Sequence, residues 1–392
     1  MFNHARARLI LRGGNDMPEQ NDNLIGPAPK FGIGEWFGKS VIKMSGAELR
    51  ETAAIALKHK PPSKNPPRLA DRPKALEAFK AAPRCPFMRM SETEFLPCNK
   101  QGGVCSIRMF SANSDGSATV VPPPKGNLVT LCPNRFHQDD IGYGWVADKF
   151  FGLKESPQKI GQVRFLRRKK RPTTEVADDA KEEDREDVGN IDMVLVNPKA
   201  PFLDWCPLEI QAVYFSGDDM SVEYRHIIEW KGKGIPFPTG SRRPDYRSSG
   251  PKRLMPQLQI KIPTLRRWGK KMAVVIDEQF FGSLGEMVPL DDPNDVSNCD
   301  MGWFVLRFNE ETNPVKLEPW KCHLTTLERA VEGLTNGFPV SLPAFEEKIR
   351  SKLEELKKVK PHWTVKAMKD SAQSKARPSE HGGYSSSPPP QP

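Results

Sequence analysis

The sequence predicts a mixed α/β fold, an α+β arrangement built around a mixed sheet. Two apolar runs rich in strand-forming residues stand in the middle of the chain, at 190–196 (NIDMVLV) and 206–215 (CPLEIQAVYF). Residues 271–276 and 303–308 are predicted to be further strands, and residues 344–359 repeat apolar side chains with a helical period. Helices that alternate with a strand pair and further strands are typical of an α/β or α+β domain.

Two helices should lie before and after the strand pair. Ser45 and Glu48 form a capping box, which predicts a helix over residues 47–59 that a pair of prolines ends. A second helix is expected over residues 265–271, starting after Pro263. With the helix over 344–359, these segments supply the helical part of the fold.

The composition excludes two classes of protein. No stretch of even ten residues is continuously apolar, which excludes a membrane span. Seven cysteines in 392 residues are too sparse, and odd in number, for a secreted disulfide scaffold. We therefore expect a soluble, cytoplasmic protein of the bacterial type. The formal net charge of +10 favours an anionic partner such as nucleic acid, an acidic protein or a membrane surface.

Changes in composition divide the chain into five segments. They are a flexible N-terminal lead-in (1–30), a helical and loop region with four cysteines (31–160), a charged flexible loop (161–189), a core with a basic segment (190–360) and a disordered tail rich in Ser, Pro and Gly (366–392). The charged loop is expected because a basic run at 164–171 precedes an acidic run at 175–187. Such blocks of like charge are usually solvated.

Four of the seven cysteines form a local cluster with the spacing C-x12-C-x6-C-x26-C: Cys85, Cys98, Cys105 and Cys132. Four thiolates in turn-like settings can close a tetrahedral site that suits Zn or Fe, and such a site would stabilise a loop-rich region. The spacing contains no CxxC pair, so four unrelated reduced thiols remain the alternative. The other three are expected to be packing thiols: Cys206, Cys299 and Cys322.

The predicted strand pair carries two carboxylates. Asp192 lies in the first strand and Glu209 in the second, and antiparallel pairing can bring them together. Gln211 shares the face of Glu209, because side chains alternate along a strand. Two carboxylates at a hairpin suit Mg²⁺, which can polarise a phosphodiester oxygen and activate a water. Gln211 would orient that water, where many nucleases have a Lys. Solvent-facing carboxylates without function are the alternative.

A basic segment follows the carboxylates. Residues 241–271 carry ten Lys or Arg side chains against one acid, Asp245. Phosphate-backbone binding needs such a surface, and Arg also reads guanine edges in the major groove. We expect five of these side chains to contact DNA: Arg242, Arg243, Arg247, Lys252 and Arg253. A solvated basic loop is the alternative.

Several short motifs follow one another along the chain in a characteristic order. They are WFG near residue 36, RCPF (84–87), GVC (103–105), LCPNR (131–135), FFG (150–152), the strand of Asp192, and LEIQ (208–211) followed by YFSG. In order and approximate spacing they resemble the NotI-type type II restriction endonucleases. The resemblance covers residues 31–308, most of the chain, and the combination of LEIQ with four cysteines is specific.

The resemblance implies a restriction-endonuclease-like PD-(D/E)xK core, preceded by a loop-rich four-cysteine metal-binding region. It also implies Mg²⁺-dependent, sequence-specific cleavage of double-stranded DNA. Asp192 and Glu209 match the family's metal-binding acids, and Gln211 matches its Gln in the usual Lys position. The four clustered cysteines match an iron site. Asp204 is a poorer match for the first acid, because we expect it in the turn before Glu209.

The resemblance further implies a homodimer that cuts a palindrome, with one active site for each strand. A GC-rich site is expected, together with a companion DNA methyltransferase that protects the same site without stable binding. Two other functions fit the residues. One is a non-catalytic DNA-binding protein with a four-cysteine metal site, and the other is a non-specific or repair nuclease on the same fold.

Overall fold

A computed structural model describes residues 27–61, 77, 79–91, 93–169, 185–335 and 340–358. The chain divides into two units, Met1–Asn336 and Gly337–Pro392, and each is treated by itself. Most of the predicted lead-in, the predicted tail and residues 170–184 of the predicted charged loop lie outside the described residues. No helix of the described residues is both long and apolar enough to cross a membrane.

The first unit alternates short helices with strands. In chain order its strands are β1 (Lys30–Trp36), β2 (Lys39–Ser40), β3 (Arg84–Arg89), β4 (Phe95–Pro97), β5 (Val104–Ala112), β6 (Ala118–Val120), β7 (Val129–Thr130), β8 (Gln158–Lys169), β9 (Arg185–Asn197), β10 (Asp204–Ile210), β11 (Tyr214–Gly217), β12 (Arg242–Asp245), β13 (Met272–Asp277), β14 (Met301–Asn309) and β15 (Lys316–Thr325). Its helices are α1 (Gly46–Lys58), α2 (Ile141–Phe151), α3 (Met220–Glu229), α4 (Tyr246–Ser249), α5 (Met255–Arg267), α6 (Glu278–Gly282) and α7 (Leu327–Thr335).

The main sheet has six strands in the order β15-β14-β13-β10-β9-β8. Strands β8, β9 and β10 form an antiparallel meander, β13 and β14 run parallel to β10, and β15 is antiparallel to β14. The connection from β10 to parallel β13 contains α5, as a parallel pair requires a crossover. The predicted mixed α/β class and the predicted β9–β10 hairpin are therefore confirmed.

A second, five-stranded sheet precedes the main one and corrects the expectation of a helical and loop region over 31–160. Its order is β2-β1-β5-β6, with β7 also paired to β5. Ile33, Ile107 and Phe110 are buried within it. The predicted capping box is confirmed at α1, where the Ser45 N–H donates to Glu48 at 2.8 Å and the Glu48 N–H donates to Ser45 at 3.3 Å.

Three local expectations are wrong. Residues 161–169 and 185–189 are strands rather than a charged loop, because β8 and β9 pair from Gln158 with Val196 to Lys169 with Arg185. The second helix does not start after Pro263 but at Met255, and the proline lies on its exposed side, where solvent can satisfy the freed carbonyl. Asp204 does not lie in the turn, since it begins β10 and pairs with Lys270 at 3.2 Å.

A buried ion pair joins the two sheets. Arg135 Nε lies 3.0 Å from Glu35 Oε2 of β1, and both side chains are fully buried. Ser106 of β5 donates a hydrogen bond to the same carboxylate at 3.0 Å. The other guanidinium nitrogens donate to Gln138 at 2.6 Å and to the Val315 carbonyl, just before β15, at 2.9 Å. Every polar atom that this pair buries is thus satisfied from both sides of the junction.

A second buried carboxylate strengthens the same junction. Asp277 ends β13 and accepts hydrogen bonds from the backbone N–H of Thr130 in β7 at 2.6 Å and of Phe280 at 2.7 Å. It therefore caps α6 and holds the smaller sheet against the main one. Burial raises the pKa of Asp277, against the lowering effect of these two bonds.

The second unit contains one described helix, α8 (Leu342–Lys358). It confirms the helix predicted over 344–359. Its apolar side chains recur on one face at Leu342, Phe345, Ile349 and Leu353, and each is at least 45% exposed in the described structure.

Replacing Arg135 with Leu should lower the free energy of unfolding by about 3–5 kcal/mol, because Glu35 would remain buried without a counter-ion. The matched control is Arg307→Leu, which removes a half-exposed partner of Glu318 at 2.7 Å. That change should cost less than about 1 kcal/mol. Urea unfolding followed by tryptophan fluorescence measures both. Equal losses in the two variants would contradict the assigned role of the pair.

Candidate active site

A cavity of about 570 Å³ opens beside the C-terminal end of β10. Its lining combines strands β9 and β10 with the loop that follows β10 and with the turn after β7. The residues that matter for its chemistry are Asp192, Glu209, Gln211, Tyr214, Gln257 and Cys132. The three side chains predicted to form the catalytic site, Asp192, Glu209 and Gln211, therefore line one cavity.

The hairpin register brings the two carboxylates together. Leu208 pairs with Met193, so one residue further along Glu209 stands beside Asp192. Glu209 is 1% exposed on the floor of the cavity, whereas Asp192 is exposed at its rim. The pKa of Glu209 is raised to about 8, chiefly by burial; the charge of Lys261 opposes this rise and the charge of Asp192 adds to it. A cation bound at the two acids would favour the ionised form of Glu209, which burial disfavours.

Gln211 lies just after the end of β10 and lines the same cavity. Its backbone N–H donates to the Val275 carbonyl at 3.1 Å, which continues the pairing of β10 with β13. Its side-chain nitrogen donates to the Ala212 carbonyl at 2.8 Å. These two bonds hold an uncharged side chain two residues from Glu209.

Lys261 is part of the site and was missed as an individual residue by sequence reasoning. Its Nζ lies 2.5 Å from Glu209 Oε2 and 3.0 Å from Gln257 Oε1, and its side chain is 6% exposed. On α5 it falls in the buried row that contains Leu258, Ile262 and Leu265. A lysine at a core position of an amphipathic helix is the pattern that marks it in the sequence.

The four clustered cysteines are all buried and free of disulfides. Cys85 lies in β3, Cys98 after β4, Cys105 in β5 and Cys132 after β7. The pKa of Cys85 is raised to about 12 and that of Cys98 to about 11, chiefly by burial and in part by the charge of Cys132. The cluster adjoins the cavity, because Cys132 lines it. Among the other cysteines, Cys206 and Cys299 are buried, as expected of packing thiols.

The predicted DNA-contacting side chains separate into two groups. Arg242 does not fit that expectation, because it is 5% exposed and its Nη1 lies 2.8 Å from buried Glu223. It serves the packing of β12 against α3. The other four are exposed: Arg243, Arg247, Lys252 and Arg253. Arg253 stacks 3.7 Å above the ring of Tyr214, which lines the cavity, so one of these exposed basic side chains lies at its edge.

A family model described as restriction endonuclease NotI matches residues 74–321. The chain belongs to the NotI restriction endonuclease family. The resemblance drawn from the motifs is therefore confirmed. Curated proteins, compared one by one, give no match. Membership makes the chain a type II restriction endonuclease, a site-specific nuclease whose substrate is double-stranded DNA.

The carboxylate pair of this endonuclease fits a Mg²⁺ ion. Within the described residues no group of three or more His, Cys, Asp or Glu side chains is arranged to hold a metal. Mg²⁺ does not need three, because it is commonly bound through one or two carboxylates with water and phosphate as the other ligands. Asp192 and Glu209 supply such hard oxygen ligands on the wall of an open cavity.

The thiol cluster fits a soft transition metal by its chemistry. Four buried sulfurs lie in one region, and the charge of Cys132 raises the pKa of the other three. A bound cation would reverse that effect, because metal ligation favours the thiolate. No three of these thiols are gathered as a metal-holding group within the described residues. The fit therefore rests on the type, number and burial of the donors.

Replacing two neighbouring arginines with alanine should affect two different properties, DNA binding and stability. Arg243→Ala removes an exposed charge, so we expect weaker DNA binding, a salt dependence reduced by about one counter-ion, and unchanged stability. Arg242→Ala should instead lower the free energy of unfolding by about 3–5 kcal/mol, because it leaves Glu223 buried and unpaired. Titrations of labelled DNA at several salt concentrations, together with urea unfolding, separate the two. The same phenotype in both variants would contradict these assignments.

Proposed function

We propose that this endonuclease hydrolyses both strands of a palindromic, GC-rich DNA site in a Mg²⁺-dependent reaction that leaves 5′-phosphate ends. The observation that carries the proposal is the contact between Asp192 and Glu209 at the β9–β10 hairpin, in a cavity whose lining residue Tyr214 carries the exposed Arg253 on its ring. The antiparallel meander followed by a helical crossover to a parallel strand supports a PD-(D/E)xK core.

The residues divide the work of the reaction. Asp192 and Glu209 would hold Mg²⁺, which when bound polarises a phosphodiester oxygen and activates water. Gln211 would orient the attacking water, which loses a proton to solvent as its oxygen bonds to phosphorus. The bond from phosphorus to the 3′ oxygen breaks, and that oxygen takes up a proton from solvent. Arg243, Arg247, Lys252 and Arg253 bind the phosphate backbone or base edges beside the cavity.

The proposed assembly is a homodimer, because two-fold symmetry in the protein matches two-fold symmetry in a palindromic site. Each protomer would then cut one strand. A companion DNA methyltransferase would protect the host's own sites by modifying the same sequence without stable binding to the endonuclease.

The thiol cluster would hold a structural iron, with Zn as the other metal that four thiolates suit. Cys85, Cys98, Cys105 and Cys132 would be its ligands. It would order the region that walls the cavity and take no part in hydrolysis.

Digestion of a large unmethylated DNA with Mg²⁺ tests the main proposal. The unmodified enzyme should produce discrete fragments, and Glu209→Ala should produce none, because the cavity would lose its buried metal ligand. Glu155→Ala, which removes an exposed carboxylate paired with Lys199, is the matched control and should cut normally. A smear would indicate a non-specific or repair nuclease. Specific binding without cleavage by any metal-loaded preparation would indicate a non-catalytic DNA-binding protein.

Metal analysis of purified protein tests the thiol cluster. We expect about one iron or zinc for each unmodified chain, and almost none in Cys98→Ser, because a tetrahedral structural site needs all four ligands. The melting temperature of Cys98→Ser should also fall, because the metal is lost. Cys322→Ser replaces a cysteine outside the cluster and should keep the metal and the melting temperature of the unmodified protein. A Cys98→Ser protein that retains its metal and its specificity would overturn the assignment.

A further inference from the structure

The contact between Lys261 and Glu209 is unusual for a helix that packs on a sheet. The ammonium and the carboxylate are 6% and 1% exposed, and their charged atoms are 2.5 Å apart. The neighbouring positions on the same face of α5 are apolar: Leu258, Ile262 and Leu265. A methionine would pack there without the cost of taking an ammonium out of water, so packing does not explain the lysine.

The place of this charge in the site has a chemical meaning. Phosphodiester hydrolysis builds negative charge on phosphoryl oxygens, which fixed positive charge stabilises most in a water-poor site. Strand β10 supplies no such charge, because the residue two positions after Glu209 is the uncharged Gln211. Lys261 reaches Glu209 from α5, and Gln257, which shares its hydrogen bond, lines the cavity.

We propose that Lys261 supplies the cationic side chain of the reaction centre, from helix α5 instead of from position 211 just after strand β10. The inference rests on the proposed hydrolysis and names a further residue of that site. The bonds to Glu209 and Gln257 fix the ammonium in position, so little reorganisation is needed when the substrate binds.

Single-turnover cleavage at saturating Mg²⁺ and DNA tests the proposal. Lys261→Met should lower the rate by about 100-fold or more, as expected for loss of one preorganised electrostatic group. Lys261→Arg keeps the charge and should retain a larger share of the rate. Lys199→Met is the matched control, because it removes an ammonium 2.5 Å from the Glu155 carboxylate at an exposed position. It should cleave as the unmodified enzyme does.

Two further measurements separate a chemical role from a structural one. DNA binding with Ca²⁺ in place of Mg²⁺ should change by less than threefold in Lys261→Met, since the lysine acts on the reaction and not on docking. The double variant Gln211→Lys/Lys261→Met should cleave at least tenfold faster than Lys261→Met, because it returns an ammonium to the neighbourhood of Glu209. If Lys261→Met alone does not fold, the comparison passes to Lys261→Arg and the double variant.

The outcomes decide between explanations. Normal cleavage by a folded Lys261→Met protein would overturn the proposal. A second result would also overturn it: Lys261→Met loses both cleavage and DNA binding, and the added Gln211→Lys change does not restore cleavage. The lysine would then have a structural role. If the unmodified enzyme cuts no DNA with Mg²⁺, the proposed function itself fails, which is a different result.

Discussion

The buried pair of Arg135 and Glu35 is the interaction on which the geometry of the site depends. The guanidinium carbon lies 4.5 Å from the ring centre of Phe87 and 5.2 Å from that of Phe308, so aromatic rings shield it from water. Arg135 belongs to the turn that starts after Cys132 and walls the cavity. Because a dry ion pair cannot separate without leaving two charges unsolvated, this turn is anchored to β1 and to the start of β15 at once.

The two residues just before this turn connect the thiol cluster to the cavity. The backbone N–H groups of Leu131 and Cys132 donate to the Cys105 carbonyl at 2.9 and 3.1 Å. Cys132 in turn lines the same cavity as Glu209. An ion held by the cysteines would therefore stabilise a wall of the site without touching the reacting atoms. The proposed structural metal and the proposed hydrolytic site would then share one fold without sharing ligands.

Local patterns in the sequence predicted the elements that local chemistry determines. The capping box at Ser45, the β9–β10 hairpin and helix α8 follow from side chains close together in sequence. Sequence reasoning missed features that depend on partners distant in the chain. Strand β8 was predicted to be a loop because of its run of charges, although it pairs with β9. Arg242 was expected to contact DNA, although it is buried in an ion pair with Glu223. Lys261 was counted only as one basic residue of ten, because its partner Glu209 lies 52 residues away in sequence. Charge counts do not distinguish a side chain in solvent from one inside a core.

The crossover between β10 and β13 has a consequence for how such an enzyme diversifies. Everything from Gln211 to Lys271 lies in one connection between two adjacent parallel strands, and the exposed basic residues stand on it. Glu209 instead sits within β10, held between β9 and β13. Substitutions on the exposed face of the connection can therefore accumulate without disturbing the carboxylate floor. The exposed face of the connection could therefore change its contacts to DNA while Glu209 and the buried Lys261 keep their positions.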